Sequence, residues 1–278
     1  MPFTGRSCVL ALFCAGGCAT ILYSISLFAL GDGQTNRMDR IEQRKIFMKV
    51  AVFHGGPRNG NTYHATKIFM NELSKSGTVD FVEFFTLKAL PKFCTGCTLC
   101  LGGSQDKCPN AQYVHPVFDE LIHADAFIFA TPHYGACSMP GSMKNLFDHF
   151  DFLVLNVSPR EELFSKKAFI ITTGAGSKAA IKPIRNVLRH WGVNRVQSLG
   201  LRMYTNLWNR MPKARQEKYE EALRRSARKF YQTKKGRPYL STIFFYHLSK
   251  FILKRYVGEG NYAYDHWKEK GYFHKRPF

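Results

Sequence analysis

The chain of 278 residues is 45% hydrophobic and 22% charged, which fits one globular domain of about 150 to 200 residues with appendages and excludes disordered, collagenous and repeat-array architectures. Its net charge of +20 is lopsided: residues 200–278 carry nineteen Lys/Arg against six Asp/Glu, whereas residues 48–199 carry sixteen against eleven. A basic tail on a nearly balanced middle excludes a uniformly basic nucleic-acid wrapper, and no nucleic-acid partner is expected.

Residues 1–47 form a hydrophobic N-terminal segment. Its run from Cys8 to Leu30 is the one stretch long and apolar enough to span a bilayer, so a polytopic transporter is excluded. Three readings of it stand. As a signal anchor, with Arg37, Arg40, Arg44, Lys45 and Lys49 after the run and Arg6 alone before it, it leaves the globular part in the cytoplasm, held to the inner face of the membrane through residues 8–30. As a spurious extension it is dispensable, because Met48 opens the first β run directly. As a secretory signal it would be cleaved near Ala29 and Gly31.

From Lys49 onward strand, loop and helix recur. The expected elements are a β run Lys49–His54, a Gly/Asn/Pro loop Gly55–Asn61 and a helix Thr62–Ser76; then a β run Val79–Phe85, a cysteine loop and a helix near Val117–Ala124. A third β run, Ala126–Thr131, leads through a loop to a helix ending near Phe150. A fourth, Ala168–Thr172, leads through Thr173-Gly174-Ala175-Gly176 to a helix ending near Trp191, and a fifth spans Val193–Leu199. Five apolar β runs separated by helices predict an α/β fold, a doubly wound five-stranded parallel sheet covered on both faces. Ligands in such sheets bind at the carboxyl ends of the strands.

The first loop, Gly55-Gly56-Pro57-Arg58-Asn59-Gly60-Asn61-Thr62, aims backbone N–H groups at one spot and suits a phosphate, with charge from Arg58 and side-chain contacts from Asn59, Asn61 and Thr62. Its glycine spacing mimics a Walker A loop, but Asn61 stands where that loop needs lysine, so an ATPase is not expected. Gly174-Ala175-Gly176-Ser177-Lys178-Ala179 fits the G-x-G-x-x-A pattern, yet no Asp or Glu lies between Glu162 and Glu217 to hold a ribose. It reads as a Gly-rich loop against a flat ligand rather than as an NAD site.

Taken in order, the first loop, the cysteine loop, Thr131-Pro132-His133-Tyr134-Gly135 and Met143-Lys144-Asn145-Leu146-Phe147-Asp148 resemble the flavodoxin-like NADPH-dependent FMN reductase family over residues 48–200. The resemblance implies that Gly56, Arg58, Asn59, Asn61 and Thr62 hold the FMN phosphate. It implies too that Pro132, His133, Tyr134 and Gly135 flank the isoalloxazine, and that Thr173, Gly174, Ala175 and Gly176 meet its far edge. Two departures stand out: Gly56 replaces a serine, removing a hydroxyl, and His133 replaces an apolar residue. No acid–base constellation stands out, and none is needed where a cofactor carries the chemistry. The expected activity is FMN-dependent NAD(P)H oxidation coupled to a small acceptor (a quinone, nitro or azo compound) in a homodimer. The alternative is a flavin and iron-sulfur electron carrier serving protein partners, and a third reading is a membrane-associated scaffold with a degenerate flavin fold.

Four of the eight cysteines, Cys94, Cys97, Cys100 and Cys108, fall within fifteen residues. That excludes a disulfide scaffold and has the spacing of a compact thiolate site. It resembles the motif of iron-sulfur flavoproteins, which implies a [4Fe-4S] cluster; zinc and plain loop thiols are the other readings. Cys137 reads as packing. Residues 201–278 form a basic helical extension: a helix Pro212–Gln232 with Tyr219, Leu223, Ala227 and Phe230 inward, then an amphipathic stretch with Leu240, Ile243, Phe244, Leu248, Phe251 and Ile252 on one face. That face is expected to pack on the core or on a second subunit, with an anionic membrane as the alternative.

Overall fold

In the computed structural model the described residues are 47–135, 138–234 and 237–278. Five strands, β1 (Met48–His54), β2 (Val79–Phe85), β3 (Ala126–Pro132), β4 (Lys167–Thr173) and β5 (Arg195–Leu201), pair in parallel in the order β2-β1-β3-β4-β5. This is the doubly wound flavodoxin-like topology expected from the sequence. The strands read as unbroken apolar runs because the middle of the sheet is covered on both faces: Val50 to Phe53, Ala126 to Ala130 and Ala168 to Ile171 are all buried.

The β5 run begins at Arg195, two residues later than expected, and continues to Leu201. Val193 is apolar and fully buried, but it belongs to the turn closing the preceding helix: its N–H bonds Leu188 O (2.9 Å) after Gly192 has turned the chain at φ +90°. Hydrophobicity alone does not separate such a turn from a strand.

Helix α1 (Asn61–Ser76) lies on one face of the sheet, and α2 (Ala111–His123), α3 (Gly141–His149) and α4 (Ile181–His190) accompany the core of the other. α2 starts at Ala111 rather than near Val117 and takes Pro116 into its interior. Beyond β5, α5 (Lys213–Gln232) returns to the face that α1 covers. It buries Leu223, Ala227 and Phe230 there, with Phe230 against Phe69 and Phe169. Lys167, opening β4, donates to the carbonyls of Phe230, Tyr231 and Thr233 and so ties down the end of α5.

The apolar face of the next helix, α6 (Leu240–Ile252), does not pack on the core of its own chain. Its inward residues are Thr242, Tyr246 and Ser249, while Leu240, Phe244, Leu248, Phe251 and Ile252 are exposed. Tyr246 sets this rotation: its ring stacks on Trp267 of α7 (Tyr262–Glu269), and its hydroxyl donates to Tyr272 O. With Leu253, Ala263, Tyr272 and Phe273 these residues form a separate small core. No helix among the described residues is long and apolar enough to cross a membrane, and the Cys8–Leu30 run lies outside them.

Because α5 completes one face of the sheet, Phe230→Ala should lower unfolding free energy by about 3 to 5 kcal/mol, the usual cost of truncating a buried phenylalanine. Denaturant melts of the two proteins would measure it.

Candidate active site

β1 brings the chain to the carboxyl edge at His54, whose buried imidazole stacks on Phe85 (4.6 Å between centroids) and hydrogen-bonds Glu83 (2.8 Å). Burial pushes its pKa below the ordinary histidine value, and the Glu83 contact opposes this only in part. The loop leaves His54 through a narrow gap. Gly55 N–H donates to Ala130 O (2.8 Å), and a Cβ at Gly55 would lie 2.8 Å from Thr131 Oγ1, so only glycine passes there undisturbed.

After the turn at Pro57, α1 opens with Gly60 in extended geometry and no side-chain cap. Its first intrahelical bond runs from His64 N–H to Gly60 O (3.1 Å), which leaves the N–H groups of Asn61, Thr62 and Tyr63 without an intrahelical acceptor. With no acidic residue in that turn, the helix end is suited to an anion. Asn61 Nδ2 donates to Thr205 O (2.6 Å), while its Oδ1 is buried without a partner. Thr62 and Thr173 share a hydroxyl hydrogen bond (2.6 Å) between α1 and the end of β4.

These groups line one open cavity of about 770 Å³. It gathers Gly56, Asn59, Asn61, Thr62, Pro132, His133, Tyr134, Thr173, Gly174 and Ala175, ten of the thirteen cofactor-site residues expected from sequence. Arg58, Gly135 and Gly176 are not in its lining. The Arg58 guanidinium sits over the Phe85 ring (4.6 Å to the centroid), a cation–π contact outside the cavity lining. Gly176 lies beneath the His133 imidazole: a Cβ there would be 2.5 Å from the ring, so its glycine makes room for a neighbouring side chain. His133 N–H in turn donates to Thr173 O (2.8 Å), joining the loops after β3 and β4. Ala136 and Cys137 of the first of these loops lie outside the described residues.

Met203 to Leu207 also line the cavity and were missed from sequence. Ending β5 at Leu199 assigns them to the extension; with β5 running to Leu201 they become the loop at the carboxyl end of a core strand, the place where ligand contacts are sought. Met203 N–H bonds Gly174 O (3.2 Å), and the exposed rings of Tyr134 and Tyr204 stand in the cavity wall.

The cysteine loop is fastened by α3. Asn145, almost fully buried, accepts from Cys94 N–H (3.0 Å) and donates to Leu90 O (3.2 Å) and Lys92 O (3.0 Å); His149 also hydrogen-bonds Lys92 O (3.1 Å). Cys94, Cys97, Cys100 and Cys108 line a second cavity of about 410 Å³ with His115, Phe118 and Arg160. All four thiols are free, Cys97 is exposed, and burial pushes the Cys100 thiol pKa up. Among the described residues no group of three or more His, Cys, Asp or Glu is placed to hold a metal ion. The expected [4Fe-4S] cluster and its zinc alternative therefore find no assembled site.

The sheet order and an open cavity at its carboxyl edge define a flavodoxin-like fold. Residues 48–202 match the NADPH-dependent FMN reductase family, and the chain belongs to it: it is an FMN-dependent NAD(P)H oxidoreductase. Among solved structures it is similar to an azoreductase from Bacillus anthracis (13% identity, TM-score 0.54, 66% of this chain and 100% of that one). It is also similar to an NAD(P)H:quinone oxidoreductase from Methanothermobacter marburgensis (16% identity, TM-score 0.53, 67% and 98%). At these identities the likeness is one of fold. No curated protein matches the sequence.

His54 gives the site a pH signature. Between its lowered pKa and the free value of about 6.5, the unfolded chain binds a proton that the folded chain refuses, so stability is full above that window and falls as pH drops through it. His64 and His266, also lowered by burial, act in the same direction, and at His266 the contact with Pro159 O opposes the shift without cancelling it. Replacing His54 with Gln should therefore flatten the fall in melting temperature between about pH 7 and 5 without abolishing it, as thermal melts across that range would show.

Proposed function

We propose that the 770 Å³ cavity holds FMN with its phosphate on the amino end of α1, and that the open wall by Tyr134 and Tyr204 admits in turn the nicotinamide and a flat acceptor of the quinone or azo class. The observation that carries this reading is the uncapped start of α1 beside the buried, partnerless Asn61 Oδ1. The free amides suit a phosphate, and the carboxamide oxygen suits a hydroxyl donor such as a ribityl chain supplies. The two structural neighbours are named for azo and quinone reduction, which supports the same acceptor class.

When bound, FMN would supply hydride-transfer chemistry between the nicotinamide and the acceptor. The protein's own groups bind and orient. Thr62 and Thr173 keep α1 and β4 in register beneath the phosphate and ring, and the paired loops after β3 and β4, joined through His133 N–H, fix the cavity's width. No acid–base residue is assigned, and no electrons are routed through the cysteine loop. The Arg58 guanidinium, engaged with Phe85, leaves phosphate binding to amides and hydroxyls.

Purified protein should take up one FMN per chain, be bleached anaerobically by NADPH and recover its colour on addition of menadione. A protein that fails to take up FMN would sink the reading. Thr62→Val should weaken FMN binding by about 1.5 to 3 kcal/mol, roughly ten- to a hundredfold in Kd, the range for a hydrogen bond to a charged group. Arg58→Ala should change it by less than about threefold, because the lost contact is with Phe85. Fluorescence titration with FMN measures both.

A further inference from the structure

Helix α6 continues through a π-helical segment, Leu253–Val257, which ends where Gly258 turns the chain at φ +79°. Along both, large apolar side chains recur on the solvent side: Leu240 is 85% exposed, Phe244 62%, Phe251 58% and Tyr256 73%, with Leu248 and Ile252 also exposed. They recur every four or so residues, so they form a stripe rather than scattered single exposures. The inward side is already satisfied by Tyr246, Leu253 and Trp267, so the helix needs none of the stripe to stay attached.

The charge around the stripe has one sign. No Asp or Glu occurs between Glu221 and Glu259, a stretch that holds ten Lys/Arg. Lys250, Lys254 and Arg255 lie on the helix and its continuation and form no ion pair with a carboxylate among the described residues. Arg276 is drawn alongside by its contact with His247 on α6 (3.2 Å). The region matched by the reductase family ends at residue 202, so this surface is added to the catalytic fold.

We infer that α6 and its π-helical continuation form a docking surface for an anionic lipid membrane, with the stripe entering the interface and Lys250, Lys254, Arg255 and Arg276 meeting lipid phosphates. An aliphatic and aromatic stripe edged by cations is the composition of a helix that lies in the membrane plane. A second copy of the chain is the poorer occupant, since a two-fold contact would bring together two basic surfaces from a stretch that has no carboxylate between Glu221 and Glu259 to pair with them. An acceptor dissolved in lipid would then be met by an enzyme resting on the same surface, although the docking itself is independent of the proposed acceptor class.

The test uses the full chain with FMN bound and co-sedimentation with vesicles of phosphatidylcholine alone or with about one-third phosphatidylglycerol. Binding should favour the anionic vesicles and weaken with salt. The double variant Phe244→Asp, Phe251→Asp should lower it about tenfold or more, and Lys250→Glu with Lys254→Glu should lower it on anionic vesicles alone. Phe244 and Phe251 are solvent-side positions, so melting temperature and FMN content should stay unchanged in that pair, which separates lost docking from lost fold; Lys254 sits over the Phe273 ring (5.3 Å), so the Lys pair is read by its dependence on lipid charge. Three outcomes would overturn the inference. One is no vesicle binding by the parent protein. Another is binding indifferent to lipid charge and to both variants, which would place it on residues 8–30. The third is a fall in sedimenting mass in the Phe variant with vesicle binding intact, which would make the stripe a contact between copies.

Discussion

The burial of the sheet's central strands governs where everything polar in this molecule can go. β1, β3 and β4 are apolar on both faces, so neither face offers a binding surface, and chemistry is confined to the edge where the strands end. There the backbone itself becomes the ligand-binding group: Gly55 passes between β1 and β3, and α1 begins with amides that no side chain claims. The site is a consequence of strand burial combined with a helix that starts immediately after a strand.

That edge is held together by contacts between loops that are distant in sequence. The Thr62–Thr173 hydroxyl pair spans 111 residues, and Asn61 reaches Thr205 across 144. Each bond fastens α1 to a different strand end, so the width of the cavity depends on the sheet rather than on any one loop. Asn145 does the same for the cysteine loop, committing its amide to three backbone partners. Its role there is structural: the buried amide spends both N–H donors and one acceptor site inside that loop.

The five strands, and ten of the residues that line the cavity, were legible because they rest on two local signals, unbroken apolar runs and glycine-rich turns after them. What was illegible depended on rotation and on competition. The guanidinium of Arg58 can neutralise a phosphate or stack on an aromatic ring, and its sequence position does not reveal the stacking on Phe85 that the structure shows. The thiol spacing of the cysteine loop likewise permits a metal without compelling one, since spacing along a loop does not bring sulfurs to a common centre. Met203 to Leu207 were hidden by a shift of two residues at β5, where a buried helix-closing turn at Val193 has the hydrophobicity of a strand.

Helix α6 shows the limit of periodicity most clearly. A repeat of apolar residues identifies a face but not which way the face turns, because the free energy of burial is available from any apolar surface, internal or external. Here the inward side consists of Thr242, Tyr246 and Ser249, two of them small enough to allow close approach and the third able to stack on Trp267 while its hydroxyl satisfies Tyr272 O. A tyrosine that meets both needs fixes the rotation more strongly than a phenylalanine, which can slide. Once Tyr246 is inward, helical geometry forces Leu240, Phe244, Leu248 and Phe251 outward, and the extension carries an apolar stripe on its solvent side as a direct consequence of how it is anchored.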